Sequence, residues 1–150
     1  MAFDIERVKQ QLKQDEGVVC EIYLDHLGYK TCGIGHLVLE TDPEHELEVG
    51  ADVNEERVNE LFAQDLDIVL EDCKKAFDKW DDFNFVVQEV LVNMMFNLGM
   101  TRLLKFKKMH AAIEAKDWQE AGIQMKDSRW FTQVGPRAGR LIERIRTIDS

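Results

Sequence analysis

The chain has 150 residues, 45 % of them hydrophobic, with a formal net charge of −10. That length suffices for one packed core without staples, and the acidic total argues against nucleic acid as the main partner. Three cysteines suit a reducing compartment, no run approaches the 18 apolar residues of a membrane span, and the charged start MAFDIERVKQ lacks a secretory signal.

Residues 4–14 read as a helix, because Ile5, Val8 and Leu12 recur at helical spacing. Asp4 is placed to cap its first turn, and Phe3 to staple onto Val8. The helix should stop near Glu16, where Gly17 precedes the β-rich Val18 and Val19. Residues 18–39 alternate and carry turn signals at Asp25–Gly28 and at Gly33 and Gly35, which predicts a small antiparallel sheet. Cys20 and Cys32 fall on two of its strands. They are either free thiols or a cross-strand disulfide made in an oxidising space.

Residues 40–52 are acidic and contain Pro43, the mark of a loop or a short irregular helix. Asn54 then caps a long helix reaching about Phe77, with Val58, Leu61, Phe62, Val69, Leu70 and Cys73 on its apolar side. Between Phe83 and Leu98 the run VVQEVLVNMMF is apolar on nearly every side and predicts a central buried helix, ended by Gly99. Further helices are expected at about 102–114, at 117–125 behind an Asp117/Glu120 capping box, and at 136–147 behind Pro136. The fold class is α+β, a small antiparallel β-sheet lobe and a larger helical lobe joined by a long helix, with a cleft between them. The expected boundaries are a sheet lobe at about 15–53, a linking helix at about 54–78 and a helical lobe at about 79–150 together with helix 4–14.

Charge is unevenly distributed. Residues 40–72 hold 13 acids against the single Arg57, a net of −12, whereas residues 102–146 hold 11 Lys and Arg against five acids, a net of +6. The basic half either presents a positive face to an anionic polymer or consists of solvated helix faces.

The segment EGVVCEIYLDHLGYKTCGIGH (16–36) carries the chemistry. Eight residues separate Glu16 from Asp25, and five separate Asp25 from Thr31. Glu16 stands at a helix C-terminus, where the dipole disfavours negative charge and favours a protonated acid. Asp25 stands in a turn rich in N–H donors, which favours a carboxylate, and the Thr31 hydroxyl is suited to hold a water. Glycosidic bond cleavage needs two carboxyl groups in such unlike environments. Taken singly, a Glu before Gly is a helix-end residue and an Asp in DHLG is a turn former.

The pattern with its Gly33-Ile34-Gly35-His36 ending closely resembles the active-site segment of the phage-type lysozymes, the muramidases of tailed bacteriophages. Asp15, Gly17, Tyr23, Gly28 and Tyr29 match too, as do LFAQDLD (61–67), NMMFNLG (93–99), KDWQEA (116–121), DSRW (127–130) and the Arg137/Arg140 pair. The resemblance therefore spans nearly the whole chain; residues 40–52, shorter and more acidic than in many relatives, depart from it. It implies hydrolysis of the β-1,4 bond between N-acetylmuramic acid and N-acetylglucosamine in peptidoglycan. Glu16 would be the general acid, Asp25 the second carboxylate and Thr31 the residue positioning the water, with inversion at the anomeric carbon. It also implies substrate contacts from Leu37, Phe96, Asn97, Gln124 and Arg129, an ion pair of Arg137 with the catalytic glutamate, and a His36–Asp65 pair. Met109 stands where relatives often have a small polar residue.

Trp118, Trp130, Met94 and Met95 lie at helical spacing among apolar residues and read as core rather than sugar platforms. The four histidines are scattered and the cysteines lack ligand spacing, so neither a metal nor a cofactor is expected. The expected setting is a monomeric endolysin held in the host cytoplasm, with no membrane insertion of its own, and released through a membrane lesion. The alternatives are a tail-associated lysozyme acting at infection, a catalytically silent peptidoglycan-binding module, and an interaction protein using the acidic 40–72 face.

Overall fold

A computed structural model describes residues 2–148. The chain is α+β: mainly helical, with one three-stranded antiparallel sheet in the order β1-β2-β3. The described residues form two compact units, 9–68 and 2–8 with 69–148. Helices α1 (Ile5–Glu16) and α2 (Glu55–Ala76) each contribute to both.

In the 9–68 unit, α1 ends at Glu16, where Gly17 and the β-rich Val18 and Val19 lead the sequence to expect it, so the glutamate belongs to the last helical turn. The sheet consists of β1 (Val19–Leu24), β2 (Lys30–Gly33) and β3 (His36–Leu37). Tyr23 pairs with Thr31, and Thr31 with Leu37, so these three side chains form a row across one face. Cys32 pairs with His36 on the other face, where Ile22, Cys32 and His36 are all buried. At the end of β2, Gly33 lets the sheet approach α2: a Cβ there would stand 3.2 Å from Val58 Cγ1.

The acidic stretch after the sheet is a short 3-10 turn, Pro43–Glu46, fastened by neighbouring cations. Arg57 Nη2 donates to the buried Glu44 at 2.8 Å, and Lys30 Nζ donates to the Leu47 carbonyl at 2.7 Å. Asn54 caps α2 by accepting the Arg57 N–H at 2.8 Å. Val58, Leu61, Phe62, Leu66, Val69 and Cys73 of α2 are buried.

The other unit is built on α3 (Phe85–Leu98), which is buried along most of its length and capped by the Asn84 side chain. The helix expected at 102–114 is two: α4 (Met100–Leu103) and α5 (Lys107–Glu114), interrupted where Phe106 leaves the helical region at ψ 69°. Then come α6 (Trp118–Lys126), α7 (Arg129–Val134) and α8 (Pro136–Arg146). Helix α7 was not anticipated; six residues give too little periodicity, and its signal is the Ser128 side chain accepting the Phe131 N–H. The Asp117/Glu120 box is half made. Asp117 accepts the Glu120 N–H at 3.2 Å, while the Glu120 carboxylate accepts from Gln124 instead.

Phe77 stacks on His110 at 4.8 Å and meets Phe83 edge-on, and Phe83 meets Trp80 and Trp118 likewise. Trp118, Trp130, Met94 and Met95 are core residues, as their spacing suggests, and Met109 is buried with them. Among the described residues no helix is long and apolar enough to cross a membrane. All three cysteines are free; Cys20 is exposed, whereas Cys32 and Cys73 are buried.

Candidate active site

Asp25, Thr31 and Leu37, all singled out in the sequence, lie on or directly beside the sheet row that holds Tyr23. Asp25 follows β1 directly and closes the turn to β2. Its Oδ1 accepts the N–H groups of Leu27 and Tyr29, each at 2.9 Å, while its own N–H donates to the Tyr29 carbonyl. The carboxylate is thus fixed by the turn it creates, as Asp in such a loop is suited to do. Thr31, buried and one strand over, donates its hydroxyl hydrogen to the Tyr29 carbonyl at 3.0 Å, which leaves Oγ1 free to act only as an acceptor. Leu37, its partner on β3, is half exposed.

Glu16 reaches the same neighbourhood from the end of α1. Its carboxyl lies against the β2–β3 turn, so close to Gly35 that a Cβ there would sit 2.8 Å from Oε2. The Tyr23 phenol registers both carboxyls: burial, then the charge of Glu16, with a smaller contribution from Asp25, push its pKa upward. Tyr23 enters the sequence reading only as a flanking match, yet the charges of both carboxyls act on its phenol.

On the buried face of the sheet His36 is held from both sides. Nδ1 lies 2.7 Å from Asp65 Oδ2 and Nε2 lies 2.8 Å from Asp42 Oδ2. Burial opposes the imidazolium, but the two carboxylates outweigh it and hold the His36 pKa above the ordinary value. Asp42 is also desolvated; the Leu39 N–H and the His36 ring nevertheless keep its pKa low. Asp42 was not foreseen, because a loop acid six residues from a histidine carries no periodic signal.

The remaining candidates belong to the other unit. Phe96 and Asn97 are half-buried near the end of α3, and Asn97 Oδ1 accepts the Trp130 indole N–H at 2.9 Å. Arg137 donates through Nε to Asn93 Oδ1 at 2.9 Å. Gln124 lines a concavity of about 320 Å³ with Lys105, Phe106, Lys107, Lys108, Met109, Asp127 and Ser128. Arg129 lines one of about 260 Å³ with Arg102, Lys105, Phe106, Trp130 and Gln133. Phe106 and the cations around it are the lining residues that sequence reasoning passed over; their signal was the excess of Lys and Arg after residue 102. Among the described residues no group of His, Cys, Asp and Glu is arranged to hold a metal ion.

The family model for phage lysozyme matches residues 13–146, a span that holds Glu16, the Asp25 turn and Thr31. The chain belongs to the phage lysozyme family. It is 31 % identical to probable T4-type lysozyme 1 of Dictyostelium discoideum, over 95 % of both chains. It is 32 % identical to the pre-baseplate central spike protein Gp5 of Enterobacteria phage T4, over 88 % of this chain and 26 % of that protein. A third similarity, at 27 %, is to the peptidoglycan hydrolase gp36 of Pseudomonas phage phiKMV, covering 95 % of this chain and 15 % of that one.

Proposed function

We propose that this phage-lysozyme relative hydrolyses peptidoglycan, cutting the β-1,4 bond between N-acetylmuramic acid and N-acetylglucosamine, and that residues 1–150 act as one such domain. The observation that carries the proposal is that Glu16 lies against Gly35 in the β2–β3 turn, while Asp25 is fixed in the β1–β2 turn and Thr31 stands on β2 between those turns. The names of the relatives, two T4-type lysozymes and a peptidoglycan hydrolase among them, agree with it.

Glu16 donates a proton to the glycosidic oxygen as the bond to the anomeric carbon breaks. A water on the opposite face of the sugar supplies the new oxygen. The Thr31 hydroxyl hydrogen is committed to Tyr29, so Oγ1 and the Asp25 carboxylate both accept from that water. One water hydrogen points at each, a lone pair is left for the anomeric carbon, and the leaving proton passes to Asp25. This assignment is an inverting one and requires carboxyls about 6.5–9.5 Å apart. The half-exposed Leu37 beside Thr31 offers the sugar an apolar contact. Phe96, Asn97, Gln124 and Arg129 are proposed to contact the glycan or its peptide, and Arg137 and the His36–Asp65 pair to support the site.

The test is incubation of the protein with purified peptidoglycan, following turbidity and new reducing ends. Glu16→Gln should lose at least about 10²-fold in rate, with Asp25→Ala close behind, while both keep the parent's thermal transition. Near-parental turnover by Glu16→Gln would remove it as the acid, and an uncut glycan with the parent protein would remove the hydrolase reading. A β-to-α change of anomer at the first turnover, read by NMR, is the expected mark of inversion.

The biological setting proposed first is an endolysin released through a membrane lesion at lysis. The similarity to the pre-baseplate central spike protein favours a second, a lysozyme carried in the virion. Detection of the protein in purified particles decides for the second.

A further inference from the structure

We propose that Gly35 is a positioning residue for the proton donor: its missing side chain is the seat of the Glu16 carboxyl. The inference rests on the assignment of Glu16 as the acid. A Cβ built at Gly35 would lie 2.8 Å from Oε2, 3.2 Å from Cδ and 3.4 Å from Cγ of Glu16. The whole carboxyl end is therefore laid against the glycine, not merely brushed by it. Gly35 also holds a left-handed φ of +62°, and the turn it makes between β2 and β3 places its bare Cα opposite the end of α1.

Two other glycines show what is particular to this one. At Gly33 a Cβ would meet Val58 of α2, a packing contact in the core. At Gly50, with φ +93°, a Cβ would meet nothing within 4 Å. Alanine at 50 therefore carries backbone strain alone, whereas alanine at 35 carries its own backbone strain plus displacement of the acid. The group displaced is the far end of a flexible side chain. It moves aside at little cost in folding, but it leaves the place from which a proton reaches the leaving oxygen, and a misplacement of about 1 Å costs on the order of 10²-fold in rate.

The experiment compares Gly35→Ala, Gly50→Ala and Glu16→Gln with the parent, by thermal transition and by steady-state kinetics on soluble peptidoglycan fragments. Gly35→Ala should melt within about 4 °C of Gly50→Ala. Its kcat should fall about 10²-fold with KM changed less than about threefold, whereas Gly50→Ala keeps both. Should Gly35→Ala not fold, Gly35→Asn bears the same Cβ on a residue that tolerates left-handed φ, and the same split is expected. If Gly35→Ala keeps the kcat of Gly50→Ala while Glu16→Gln is inactive, the positioning role falls and the acid assignment stands. If Glu16→Gln is active, the assignment falls first and this inference with it. Failure of both position-35 variants to fold also overturns it, because the glycine would then serve the turn and not the carboxyl.

Discussion

His36 shows most directly how single side chains set the behaviour of the sheet. A buried imidazole between Asp42 and Asp65 is stabilised as the cation, so its pKa is raised on folding. A raised value contributes stability that is fully present below the unfolded value, about 6.5, and is lost as pH climbs through the folded one. His36→Asn should therefore destabilise the chain by about 3 kcal/mol in mildly acidic buffer, since it leaves Asp42 and Asp65 without their shared partner. The difference from the parent in urea titrations should shrink from pH 6 toward pH 9; a difference that stays constant would mean that His36 is neutral in the fold. The Asp65 half of this pair was legible through the family pattern. The Asp42 half was not, because it depends on how the loop before Pro43 folds back over β3.

The elements most open to prediction were those whose periodicity and caps agree. Asn54 marks the start of α2 and accepts a main-chain N–H of its first turn, as the sequence leads one to expect. Elsewhere local signals competed: Phe106 breaks what reads as one helix over 102–114, and Gln124 takes the Glu120 carboxylate that would have completed a capping box. Glu89 presents a tertiary demand that no periodicity reveals. It sits on the apolar α3, its side chain 1 % exposed, and accepts from Arg7 of α1 and from Arg144 of α8, the latter at 3.0 Å. Burial opposes its charge, yet the two guanidinium groups prevail and hold its pKa below the usual value. That contribution is present above the unfolded value of about 4.3 and is lost as pH falls through the folded one. Glu89→Gln should cost about 3 kcal/mol near pH 7, measured by chemical denaturation, and the gap to the parent should narrow below about pH 4. An equal gap at both pH values would assign the cost to shape and not to charge.

For the molecule as a whole, charge sets the approach to a polymer bearing carboxylates. The net of −10 repels it at long range, while the two concavities around Phe106 each carry three cationic side chains. Raising salt from about 0.01 to 0.1 M shortens the screening length from about 30 to 10 Å, which removes the long-range repulsion first. Initial rates of turbidity loss on purified peptidoglycan should therefore rise over that range. A steady fall from the lowest salt upward would show that the basic concavities dominate the encounter.

Local chemistry alone determined much of this protein. The α+β class, the helix ending at Glu16, the Asp25 turn, the strand bearing Thr31 and the buried α3 all follow from spacing, caps and turn residues, which act between near neighbours in the chain. Tertiary structure decided what lies between residues far apart. The second carboxylate on His36, the two arginines on Glu89, and the closeness of the Glu16 carboxyl to Gly35 are contacts between separate segments of the chain. Their distances depend on how helices and strands pack, and no periodicity within one segment encodes that.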